Sequence, residues 1–176
     1  MTRVNWTNTI FAVIDMRSFS SLWYWITVGW VWFSATHVVL GVQSDLVQRA
    51  ARDGGEAMAE VAVIASANAE RLVRFMDAAG IWLLVGGSFL LTSLVLLAFW
   101  YGVELAQAVV LIALPMTVVL ELRTRLAQRI MTDRPGQAVL VEDLSRHRRH
   151  TQMIGMVAIL ATGMAGTLSA VQGMAL

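Results

Sequence analysis

The chain has 176 residues, of which 57% are hydrophobic and 14% charged, and its mean hydropathy is +0.65. That balance excludes an ordinary soluble domain and predicts an integral membrane protein. The absence of cysteine excludes disulfides, thiolate zinc sites and cysteine nucleophiles, and a formal charge of +1 is too small to predict a nucleic-acid partner.

Over residues 1–20, Trp6, Ile10, Val13 and Ile14 recur at helical spacing while Asn5, Thr9 and Arg17 lie elsewhere on the wheel. The pattern predicts a short amphipathic helix in the membrane interface, with no small-residue cleavage site of a signal peptide. The interval from Ser18 to Ser44 then has no Asp, Glu, Lys or Arg, and it predicts a first span over Leu22–Gln43. Steps of three and four residues collect Trp23, Thr27, Trp30, Ser34, His37 and Gly41 on one stripe. Lipid offers small and polar residues no hydrogen bonds, so this stripe is expected to meet other helices.

Residues 44–77 are charged and contain the pair Gly54-Gly55. Leu46, Val47 and Ala50 precede the glycines, and Val61, Ile64, Ala65, Leu72, Phe75 and Met76 follow. The expectation is that the first helix runs a few turns out of the membrane, turns at the glycines, and returns as an amphipathic helix into a second span over residues 78–101. The turn Trp100-Tyr101-Gly102 carries no basic residue, and a third span over residues 104–121 follows it. Asp133-Arg134-Pro135-Gly136 is a turn signal, so the third helix is expected to project to about Met131 and a new one to begin near Ala138. The fourth span, residues 153–174, carries a stripe of small residues: Gly155, Ala158, Thr162, Ala165, Ser169 and Gly173. Helix backbones approach closely along such a stripe.

Arginine supplies all 13 basic residues: four in the loop after the first span, seven in the loop after the third, and none in the hairpin turn. Cytoplasmic placement of both Arg-rich loops leaves only Arg3 and Arg17 on the far side and puts both termini in the periplasm.

Candidate chemistry is sparse. His37 is the titratable group expected deepest in a span, and beside Trp30, Ser34 and Trp23 it forms a candidate face for a quinone, a pigment or a lipid. The plainer reading is a neutral histidine hydrogen-bonded to a neighbouring helix. Asp143, His147 and His150 share a helix face at a spacing that could hold a metal, yet the interleaved arginines would repel a cation, so no metal is expected. Arg123, Arg125, Arg129, Arg146, Arg148 and Arg149 are instead expected to meet anionic lipid headgroups or an acidic partner. Glu104 and Gln107 could begin a proton path but are more simply solvated, and Pro115 frees a carbonyl within the third helix. No phosphate-binding loop, catalytic triad or paired intramembrane carboxylates are present, so no catalytic residue is assigned.

The segment Val13-Ile14-Asp15-Met16-Arg17-Ser18-Phe19-Ser20-Ser21-Leu22-Trp23-Tyr24-Trp25, with residues 34–41 and Glu104-Leu105-Ala106-Gln107-Ala108, resembles a family of small alphaproteobacterial membrane proteins labelled "component of SufBCD complex". The likeness runs from about Ile10 to Arg129. It implies a bacterial inner membrane that carries respiratory or photosynthetic complexes, and a role as anchor for soluble iron–sulfur assembly machinery.

The sequence therefore predicts an all-α protein: an interfacial helix over residues 1–20, then one membrane domain of four transmembrane helices with cytoplasmic helical hairpins at 44–77 and 122–152. The expected role is a non-enzymatic accessory or scaffold subunit that packs against other membrane proteins and anionic lipids, with no cofactor required. The alternatives are a binder of a hydrophobic small molecule and the anchor that the resemblance implies.

Overall fold

Long apolar runs punctuated by glycines and one Asp-Arg-Pro-Gly turn leave the chain few choices but helix, and the computed structural model is about 90% helical. It describes residues 22–174, with side chains described as far as Thr167. In chain order the elements are α1 (Leu22–His37), a two-stranded ladder of β1 (Val38–Val39) and β2 (Val42–Gln43), α2 (Ser44–Asp53), α3 (Gly55–Phe99), α4 (Glu104–Asp133) and α5 (Gln137–Met174). The all-α class is observed, and α3 and α4 are long and apolar enough to cross a membrane. The interfacial helix expected over residues 1–20 lies outside the described residues.

The breaks have local causes. Gly54, at φ +66°, caps α2 by donating its N–H to the Ala50 carbonyl, and Gly55, also at positive φ, starts α3 in a new direction. Arg134 takes the left-handed conformation at the end of α4, its N–H on the Ile130 carbonyl, and Pro135 prevents the helix from continuing. These turns lie within two or three residues of where the sequence puts them.

The first span is different. It does not continue to Gln43, because α1 stops at His37 and residues 38–43 fold back as an antiparallel hairpin pairing Val38 with Gln43 and Val39 with Val42. Its turn residues, Leu40 and Gly41, are both at positive φ, the geometry of a two-residue turn whose twist matches its strands. β-branched Val38, Val39 and Val42 favour the strands, and burial of Leu40, 1% exposed, offsets the cost of a left-handed conformation for a branched side chain. No helix runs out of α1 toward the glycines; α2 is a separate element.

Two layers of packing result. On the charged side, α2, the first third of α3, the end of α4 and the start of α5 enclose the main core, with the hairpin as its lid. Ala50, Val61, Ala65, Ala69 and Ala127 are fully buried there, so small residues bring the helix axes together, while Leu126, Ile130, Leu140 and Leu144 fill the space between. Phe75, expected on the inner face, is exposed. On the apolar side the helices touch less. Val28 and Trp32 of α1, Val119 of α4 and Ala158 of α5 form one small cluster, and Ala98, Ala106 and Val110 form another at the α3–α4 turn.

Candidate functional site

The face of α1 expected to meet other helices points away from the rest of the chain. Trp23 is 77% and Trp30 69% exposed, Thr27 and Ser34 are exposed, and the buried residues are Val28 and Trp32. The hydroxyls explain the reversal. Thr27 donates to the Trp23 carbonyl at 2.9 Å and Thr36 to the Trp32 carbonyl at 2.8 Å, so threonines on this helix satisfy themselves on their own backbone and need no neighbour. The inner face instead sets a wide indole on a narrow groove: Trp32 lies over Gly155, where an added Cβ would come within 2.8 Å of the ring. Tyr24, two turns earlier, reaches α4 by donating its hydroxyl to the Ala108 carbonyl at 3.2 Å. Tyr24, Val28 and Trp32 stand four residues apart, a spacing visible in the sequence but overshadowed by the small-and-polar stripe.

The small-residue stripe of α5 does face inward. Gly155, Ala158 and Thr162 are buried and Ala165 is partly so; the side chains of Ser169 and Gly173 lie outside those described. His37 is the last residue of α1, stacked on Phe33 with ring centroids 5.1 Å apart, and its Nδ1 is 3.4 Å from the Ser44 hydroxyl. It therefore sits at the edge of the apolar layer, beside the hairpin. Of the face expected to bind a ligand, Trp23, Trp30 and Ser34 are exposed and His37 is half-buried.

At the boundary between the two layers the arginines divide by partner. Arg125 binds Glu121 at 2.7 Å and Arg146 binds Glu142 at 2.8 Å, both exposed pairs within one helix. Arg129 crosses from α4 to α5, meeting the buried carboxylate of Asp143 at 3.3 Å, with Asp133 on its other side at 3.6 Å. The other carboxylate oxygen, Asp143 Oδ2, is buried without a hydrogen-bond partner, as is Arg148 Nε. Arg123 is half-buried, and removal from water pulls its guanidinium below its ordinary value. Arg149 is exposed.

Asp143, His147 and His150 do not converge as metal ligands; no group of three His, Cys, Asp or Glu side chains suited to a metal ion occurs among the described residues. Asp143 is engaged by Arg129. His147 is 7% exposed, and burial pushes its imidazole below the usual range, reinforced by the positive charges of Arg123 and His150. Glu104 opens α4, and Gln107 donates to the Ala98 carbonyl at 2.9 Å, closing the α3–α4 turn.

The most exposed apolar surface belongs to α3. Every residue from Ile81 to Leu90 is exposed, on all sides of the helix. Gly80, Gly86 and Gly87 have nothing within 4 Å of where a Cβ would stand, and a cleft of about 350 Å³ separates Gly80, Gly87 and Ser88 from Thr117, Leu120 and Thr124 of α4.

Comparison with known proteins finds no matching family model, no matching curated protein and no matching solved structure.

Proposed function

We propose that this chain is a non-enzymatic scaffold subunit of a larger bacterial inner-membrane assembly, inserted as a four-span bundle with its arginine-rich layer in the cytoplasm and both termini in the periplasm. The observation that carries this reading is the bare middle of α3. Ten consecutive residues, Ile81 to Leu90, are exposed on every side of the helix. Gly86 and Gly87 sit there with open space around them. Each glycine in a helix interior costs about 1 kcal/mol relative to alanine, and lipid alone gives nothing back for it. A helix from another subunit does, because two backbones approach closely only where side chains are absent.

Blue-native electrophoresis of gently solubilised membranes tests the reading. Co-migration with a larger assembly, lost in Gly86→Leu and Gly87→Leu while the isolated chain keeps its thermal stability, is the expected result. A chain that migrates alone in the wild type would overturn it.

A second reading, a binder of a quinone, pigment or lipid on α1, is favoured by the stacked Phe33–His37 pair and the open flank of Trp23, Trp30 and Ser34. Organic extraction of purified protein followed by mass spectrometry decides it: a stoichiometric ligand lost in His37→Ala supports it, and an empty extract removes it.

A further inference from the structure

Between α4 and α5 lies an open groove of about 540 Å³ whose walls are almost wholly apolar. Leu111, Leu114 and Val118 form one side, and Met153, Val157 and Ala161 the other. The two helices run antiparallel, so Val118 and Met153 share one end, and Phe99 closes the opposite end beside Val110. Val110 to Val118 on one wall and Met153 to Ala161 on the other each span eight helical steps, a length of roughly 12 Å, most of one ~15 Å leaflet of hydrocarbon.

The open end is where the charge begins. The Arg129–Asp143 bridge marks the register of α4 against α5. Arg125, four residues before Arg129, and Arg146, three residues after Asp143, therefore come level with each other. Arg125 is seven residues beyond Val118, Arg146 seven before Met153, and His150 seven before Val157. Two helical turns return a side chain to nearly the same face, so all three stand above the groove walls. Among the described residues both arginines pair with exposed acids on their own helices, Glu121 and Glu142, pairings that exchange readily for a stronger anion.

From this juxtaposition we propose that the α4–α5 groove is a binding site for one anionic phospholipid, with an acyl chain along Leu114, Val118, Val157 and Ala161 and the phosphate beneath Arg125, Arg146 and His150. A free phosphate would use the rim but leave the apolar walls uncovered. The site rests on the four-span reading, which sets this rim at headgroup level, and it is independent of any partner protein.

The test uses the full chain in mild detergent with equal amounts of phosphatidylglycerol and phosphatidylcholine, read by native mass spectrometry. One phosphatidylglycerol per chain is expected on the wild type. Ala161→Trp, which fills the groove, should lose it, and Leu114→Trp on the facing helix gives the same readout should the first variant fail to fold. Arg125→Gln and Arg146→Gln should each reduce the preference for phosphatidylglycerol roughly fivefold. Excess inorganic phosphate should leave the lipid bound; its displacement would show a rim-only site and overturn the groove. Unchanged lipid retention in a folded groove-filled variant, or equal retention of both lipids by the wild type, would also overturn it. Alkaline carbonate extraction of membranes separates the two levels, because release of the chain defeats the four-span reading, whereas retention with unaltered lipid binding defeats only the groove.

Discussion

Trp32 and Gly155 meet face to face, a Cβ on the glycine falling 2.8 Å from Cε3 of the indole. The contact joins α1 to α5 on the apolar side, and it fixes how near the two helices come. Gly155→Ala gains about 1 kcal/mol of helix propensity but forces a buried ring, 5% exposed, to move. Overpacking of this kind costs about 1–3 kcal/mol, so the net effect is a loss, larger for Gly155→Leu. Thermal unfolding in detergent is the measurement, and an alanine variant more stable than wild type would contradict the packing.

The two faces of α1 predict opposite responses to the same truncation. Trp32→Ala empties the space over Gly155 and should cost about 3 kcal/mol. Trp23→Ala and Trp30→Ala, on the exposed flank, should leave the melting temperature of the isolated chain nearly unchanged. Equal losses at all three positions would mean that the outer flank is covered within the chain.

Arg129 and Asp143 predict an asymmetry. Asp143 is 7% exposed, and without Arg129 no cation among the described residues bridges its carboxylate. Arg129→Gln should therefore destabilise by about 1–2 kcal/mol, a figure reduced from that of a fully buried pair because Arg129 itself is half exposed. Asp143→Asn combined with Arg129→Gln should recover part of that loss, which a double-mutant cycle in chemical denaturation will measure.

His147 predicts a pH dependence with a definite sign. Its folded-state value lies below the ordinary 6.5 because burial and the charges of Arg123 and His150 disfavour the imidazolium. The unfolded chain then binds a proton that the folded chain resists, so stability is full above about pH 6.5 and falls as the pH drops below it. His147→Gln should flatten this decline between pH 7 and pH 5. The wild type and the variant melting in parallel across that range would show that His147 is solvated.

The hairpin turn predicts a backbone effect. Gly41, at φ +74°, has Asn68 where its Cβ would be, so Gly41→Ala suffers both a left-handed conformation and a clash. A loss of about 1–2 kcal/mol is expected, because the hairpin covers the main core through Leu40 and Val42. Hydrogen exchange at Val39 and Val42 should speed up in this variant before exchange in α4 does.

The amino-acid order by itself determined the helical class, the glycine and Pro135 breaks, the charged layer and the apolar lengths of α3 and α4. Each of these follows from local chemistry: backbone groups that need hydrogen bonds in an apolar medium, residues that tolerate or refuse a given φ, and charges that resist burial. Tertiary structure alone decided which face of α1 turns inward, since threonine hydroxyls bonded to their own backbone mimic an interface that is not there. It also decided that α1 ends at His37, because the cost of a left-handed Leu40 is offset only once that side chain is buried in the main core. The α4–α5 groove arises the same way: its walls come from residues some forty positions apart, brought level by the turn after α4 and by the packing of Leu126 and Ile130 with Leu140 and Leu144.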